Sequence, residues 1–299
     1  MSRQPQLLVD GGTFFEGPRW RDGRWWVSDF YRHVVETVTP DGDVEQVLEV
    51  PGQPSGLGWL PDGSLLAVSM RDLALVRRHP DGEVTTHADL SGVLAHLAND
   101  MVVTADGHAY VGSFGFDLMA GEDPSTSRLA HVAPDGTVGV AAEDVAFPNG
   151  MVVTPDGSTL IVGETIGCGY TAFTIGPDGS LSDRRTWAQL APRPTLGSFE
   201  ETLPQVTVAP DGCALDAEGA IWFADAMGAR LVRVAEGGEF LEEQPAPGGG
   251  GVFACMLGGE DGRTLLACCA PDFAEDARAA SREASLWTLQ VDVPGAGLP

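Results

Sequence analysis

Short apolar runs recur along the chain, each three to five residues long and each preceded by an Asp-Gly or closely related turn. Six of them stand out: Arg24-Trp25-Trp26-Val27, Ser64-Leu65-Leu66-Ala67-Val68, Ala109-Tyr110-Val111, Thr159-Leu160-Ile161-Val162, Ala220-Ile221-Trp222-Phe223 and Thr264-Leu265-Leu266-Ala267. Runs of this length, rich in β-branched and aromatic residues and bounded by Gly, Pro and Asp, predict strands rather than helices. The turns before them fall at Asp22, Asp62, Asp106, Asp156, Glu218 and Asp261, at spacings of 40, 44, 50, 62 and 43 residues. A second turn follows in five of the repeats, at Asp41, Asp81, Asp135, Asp178 and near Gly237. Two hairpins per repeat give four strands per repeat, and no helical periodicity of useful length competes.

Four-stranded units recurring six times in 299 residues predict an all-β, six-bladed β-propeller whose blades pack radially around a central channel. A two-sheet sandwich would not explain why one turn-strand phrase recurs. The whole chain, residues 1–299, reads as one domain.

Composition narrows the function. Forty-three acidic against seventeen basic residues give a formal charge of −26, which repels nucleic-acid backbones and anionic lipid surfaces. Every basic residue is Arg and the chain has no Lys, so Schiff-base chemistry and a P-loop lysine are excluded. No apolar stretch approaches the roughly 20 residues of a membrane span, and the polar start does not read as a signal peptide. Cys168, Cys213, Cys255, Cys268 and Cys269 form neither a CxxC pair nor a disulfide framework. Reduced thiols and a cytoplasmic location are the expectation.

Aligning the repeats on their first turns exposes a column at the start of each innermost strand: Glu16, Ser55, Asn99, Asn149, Asp211 and Ala254. Inner strands line the channel, so this column converges on the axis. Taken singly, each polar member is an ordinary turn-capping residue. Taken together, carboxylates and carboxamides meeting at a core position need a partner, and a hard cation such as Ca²⁺ or Mg²⁺ accepts such oxygens. The residues ending the second strands, Asp29, Ser69, Ser113, Glu164, Asp225 and Cys268, are expected one strand farther out on the same face. Of these, Asp29, Ser113 and Glu164 are candidates to support the site or line its pocket. Three long connections, about 113–127, 183–209 and 269–284, are expected to crown the same mouth. Trp20, Trp59 and Trp222 read as packing between blades, and Met101, Met151 and Met256 as inner-strand core.

The phrases Phe15-Glu16-Gly17-Pro18-Arg19-Trp20, Asn99-Asp100-Met101, Pro148-Asn149-Gly150-Met151 and Pro210-Asp211-Gly212-Cys213-Ala214-Leu215-Asp216 resemble the gluconolactonase/regucalcin family, the senescence marker proteins. Leu257-Gly258-Gly259 and Val291-Asp292-Val293-Pro294-Gly295 extend the resemblance to nearly the whole chain. It implies one divalent metal, Ca²⁺ or Zn²⁺ foremost with Mg²⁺ or Mn²⁺ accepted, held by Glu16, Asn149 and Asp211. It also implies Asp211 as general base, Asn99 against substrate or its water, and hydrolysis of a small-molecule lactone or ester. Sugar-lactone members often carry an Arg where this chain has Leu97, beside His96, so these two positions are read as substrate-binding with altered preference. A non-catalytic metal-stabilised binding propeller, a phosphotriesterase-like enzyme and a specialised biosynthetic enzyme remain as alternatives. A serine hydrolase is not supported, since no Gly-x-Ser-x-Gly elbow occurs.

Overall fold

A computed structural model, describing residues 4–297, shows six four-stranded antiparallel sheets arranged as blades. The innermost strands are Phe15–Arg21, Pro54–Trp59, Ala98–Val103, Pro148–Val153, Pro210–Leu215 and Gly251–Gly258, in blades I to VI. Each pairs with the strand that follows its Asp-Gly turn, so the turn chemistry marks the right hairpins. In three of these turns the aspartate carboxylate accepts the backbone N–H two residues on: Asp62 from Ser64 at 2.9 Å, Asp156 from Ser158 at 3.1 Å and Asp261 from Arg263 at 3.0 Å.

The missing second turn after Asp261 has a topological explanation. Blade VI draws its outermost strand from the other end of the chain: Gln6–Gly12 pairs with Ala284–Gln290, giving the order from rim to axis of first strand, last strand, then the two before it. That pairing closes the ring and removes two free sheet edges. The segment after the last strand also returns inward, with Ala296 donating to the Leu215 carbonyl and Ala217 donating to the Pro294 carbonyl.

Two expected boundaries move. The connection placed at 183–209 begins only after Gln189, because Leu181–Gln189 forms the outer strand of blade IV. Its run of exposed polar residues through Arg184 and Arg185 reads like a loop because an outermost strand has little core to face. Likewise Cys268 does not end its strand, which continues to Ala270.

The expected packing roles are visible. Trp59 of blade II meets Trp26 of blade I edge-on with centroids 5.3 Å apart, and Trp20 closes over Gly258 of blade VI. Trp222, Met101, Met151 and Met256 are buried, as are all five cysteines, which are unpaired thiols.

Near the axis the blades approach one another within backbone contact. A Cβ on Gly17 would lie 2.5 Å from the Ser55 carbonyl oxygen, one on Gly56 2.3 Å from the Met101 nitrogen, and one on Gly150 2.3 Å from the Asp211 carbonyl oxygen. Only glycine fits such positions without displacing backbone. Gly150→Ala is therefore expected to lower stability by about 1–3 kcal/mol in urea denaturation. Gly92→Ala, on the surface with nothing within 4 Å, is expected to stay within about 0.5 kcal/mol of the parent.

Candidate active site

All six inner hairpins carry a register irregularity at the column residue: between Glu16 and Arg19, Pro54 and Leu57, Ala98 and Met101, Pro148 and Met151, Pro210 and Cys213, and Val252 and Ala254. A bulge interrupts strict alternation and re-aims a side chain. Here it coincides with the glycines that let neighbouring blades close in. The result is that Glu16, Asn99, Asn149 and Asp211 share one cavity at the mouth of the channel.

Glu16, Asn99 and Asn149 are buried, while Asp211 is half-buried. Ser55 Oγ donates to Asn99 Oδ1 at 3.3 Å, which fixes that carboxamide from the neighbouring blade. Asn149 Nδ2 donates to Thr165 Oγ1 at 3.2 Å, and Thr165 in turn donates to the Pro210 carbonyl at 2.9 Å. Glu16 Oε2 accepts only a local backbone N–H, from Gly17 at 3.1 Å. Burial, then the negative charges of Asp211 and Asp100, push the Glu16 carboxyl well above its ordinary value. Burial likewise pushes Asp211 up to about 8, with Asp100 adding to the rise and a hydrogen bond from Asn149 opposing it.

The sequence reading missed the pair beneath this floor. Arg19 is buried, donates from Nη2 to Asp100 Oδ1 at 3.1 Å and to the Met101 carbonyl at 2.6 Å, and donates from Nη1 to the Pro18 carbonyl at 2.8 Å. Asp100 stands where four other blades have glycine after the column residue. That substitution within the repeat was the available signal.

The second-strand residues hold backbone around the site rather than lining its pocket. Asp29 accepts from the Thr13 and Phe14 backbones, Glu164 from the Ala146 N–H at 2.8 Å, and Asp225 from the Ala209 N–H at 3.0 Å. Each clamps the segment leading into its own blade's inner strand. Ser113 bonds Ser127 at 2.5 Å. None of these four lines the cavity, whereas their immediate successors Phe30, Phe114, Thr165 and Ala226 do. These successors stand just past the strand ends, Phe30 and Thr165 each opening a short 3-10 helix. The backbone repeats the arrangement: Phe30, Met70, Phe114, Thr165 and Ala226 each donate to the carbonyl two residues before the column, on Phe14, Gln53, Leu97, Phe147 and Ala209.

Leu97 and His96 are not brought to the cavity. Leu97 is half-buried against the main core and offers its carbonyl to Phe114, while His96 Nε2 lies 3.5 Å from the Glu122 carboxylate. The three long connections do reach it, contributing Leu118 and Met119, Leu203 and Val206, and Phe273.

The donor set suits a hard divalent cation. Two carboxylates lacking a neutralising partner of their own, with carboxamide oxygens beside them, match oxygen coordination. Among the described residues no three His, Cys, Asp or Glu side chains gather into a metal cluster, so such a site depends on Asn149 as well as the acids.

The SMP-30/Gluconolactonase/LRE-like region model matches residues 14–270. The chain belongs to this family. A 6-deoxy-6-sulfogluconolactonase from Pseudomonas putida is 24% identical over 302 residues, spanning 99% of this chain and 96% of the relative. Among solved structures, a calcium-binding regucalcin from Agrobacterium tumefaciens is similar with a TM-score of 0.79 at 21% identity, covering 99% of this chain and 97% of that one. A gluconolactonase from Xanthomonas campestris has a TM-score of 0.72 at 23% identity, covering 98% and 90% respectively. At these identities the solved structures establish the SMP-30-like propeller fold.

The raised carboxyl groups predict a pH signature. Between the ordinary aspartate range near 4 and about 8, the folded metal-free protein holds a proton on Asp211 that the unfolded chain has released. Its stability therefore falls as pH rises through that window. We expect the melting temperature of metal-stripped protein, relative to Asp211→Asn, to drop between pH 5 and pH 8, and added Ca²⁺ to abolish the drop. A pH-independent difference would contradict the geometry described.

Proposed function

We propose that this SMP-30-family protein is a metal-dependent hydrolase that opens a lactone ring. The observation that carries the reading is the polar floor of Glu16, Asn99, Asn149 and Asp211 at the end of an otherwise apolar cavity. Buried polar groups without mutual satisfaction are costly, and such costs concentrate where chemistry is done. The names of the gluconolactonase relatives support the reaction class, and the calcium-binding neighbour supports a divalent cation.

Glu16, Asn149 and Asp211 would hold the cation. When bound, it supplies positive charge that polarises a carbonyl and eases deprotonation of nearby water. Asp211 accepts the proton as water oxygen attacks the carbonyl carbon. Collapse of the resulting tetrahedral centre breaks the ring C–O bond, and Asp211 returns the proton to the departing alkoxide. The product is an open hydroxy acid. Asn99, held by Ser55, orients the reacting carbonyl or the water through its carboxamide.

Hydrolysis releases acid, so a pH-indicator assay reads it directly. Metal-stripped protein should be inactive on lactones and regain turnover with Ca²⁺, Zn²⁺, Mg²⁺ or Mn²⁺. Asp211→Asn should lose at least about 10²-fold in kcat while retaining its far-UV circular dichroism. Full activity in that variant would remove Asp211 as the base, and metal-independent turnover would remove the cation from the scheme.

A further inference from the structure

Above its polar floor the cavity is lined almost wholly by hydrocarbon. Phe14, Phe30, Phe114, Phe147 and Phe253 form a band of buried aromatic rings, contributed by blades I, III, IV and VI. Their rings interlock, with Phe14 and Phe253 centroids 4.9 Å apart and Phe114 and Phe147 4.5 Å apart. Outside the floor, only Tyr31 and Thr165 bring polar side-chain groups, and the Thr165 hydroxyl is already committed to Asn149 and the Pro210 carbonyl.

The rim is apolar too. Met119, Met227 and Phe273 line the opening and are among the most exposed large hydrophobic side chains, at 40%, 46% and 39%. Three such residues from three separate connections, grouped around one opening, mark a surface that an apolar ligand covers. Among the described residues no arginine lines the cavity, and the chain has no lysine. The loop arginines Arg71, Arg193 and Arg278 are engaged by Glu275 at 2.5 Å, Glu164 at 2.7 Å and Asp272 at 3.1 Å.

We propose that the substrate is a lactone carrying an apolar arm, alkyl or aryl, with the ring carbonyl on the polar floor and the arm along the aromatic band toward Met119, Met227 and Phe273. This rests on the lactonase reading for the reaction but on the walls for the substrate class. A polyhydroxylated ring would place hydroxyls against phenylalanine faces that return no hydrogen bond, and each unpaired group opposes binding. A sulfonated or carboxylated arm would meet no arginine among the described lining residues, and Arg71 and Arg278 near Tyr31 are already paired with carboxylates. Apolar arms instead gain with every methylene removed from water, roughly fourfold in affinity for each one well covered.

The test compares δ-valerolactone, δ-decalactone and dihydrocoumarin with glucono-δ-lactone, using the metal-loaded protein. We expect kcat/KM for δ-decalactone and dihydrocoumarin to exceed that for gluconolactone by at least about 100-fold. The decalactone-to-valerolactone ratio should fall about fivefold in Met227→Ser and in Phe273→Ser, exposed positions where folding is not at stake, chiefly through KM. Gluconolactone turned over as fast as the alkyl lactones, or a ratio unmoved by both variants, overturns the proposal. If no lactone is hydrolysed, calorimetric binding of the matching lactams decides. A dissociation constant that tightens with chain length upholds the apolar arm site while the hydrolase reading falls, and one that ignores chain length overturns both.

Discussion

Six backbones crowd the channel axis, and most of the molecule's local chemistry follows from how little room that leaves. Gly17, Gly56, Gly150 and Gly212 sit where a Cβ would strike the next blade's inner strand or side chain within 2.3 to 2.5 Å. The same positions carry the register irregularities that turn the preceding residues inward. Close approach and side-chain aim are thus one feature. A propeller with ordinary strand residues there would hold its blades farther apart and scatter the column rather than gather it.

Gathering has an electrostatic cost. Asp211 and Asp100 raise the proton affinity of Glu16, and Asp100 raises that of Asp211, while Arg19 is the buried cation beside them. Arg19 is tied to Asp100 and to two backbone carbonyls, so its charge serves mainly the residue beneath the floor. Glu16 and Asp211 are left with a choice between holding protons and holding a cation. Protons relieve the repulsion in the metal-free protein and the proposed cation would relieve it too, with the surrounding glycine contacts independent of charge.

The six repeats and the polar column were legible because both are periodic: turn chemistry recurs, and a position shared by blades shows itself when they are aligned. What the period did not carry was harder to see. Phe30, Phe114 and Ala226 line the cavity while Asp29, Ser113 and Asp225 beside them do not, a one-residue difference set by where each strand ends. Blade VI needed a strand from Gln6–Gly12, a pairing across the whole length of the chain with no local mark. Leu97, chosen because of what stands there in relatives, instead contributes a carbonyl to Phe114. Arg19 was in plain view in Phe15-Glu16-Gly17-Pro18-Arg19-Trp20, but its partner lies 81 residues away in another blade.

Strands and loops divide the work in a way that accounts for a family of shared architecture. The floor is built from inner strands, whose bulges and glycines leave little freedom to vary position. The rim is built from connections such as 114–126, 190–209 and 271–283, which must only leave one strand and reach the next. Changes in the connections alter what sits against Met119 or Phe273 without moving Asp211, because the carbonyls of Phe14, Leu97, Phe147 and Ala209 are pinned by the backbone donors that follow the second strands. Those pins separate the polar floor of the cavity from its apolar rim. An apolar wall above a polar floor is then no contradiction: the two are specified by separate parts of each repeat, and the boundary between them is the row of backbone hydrogen bonds that joins inner strand to second strand.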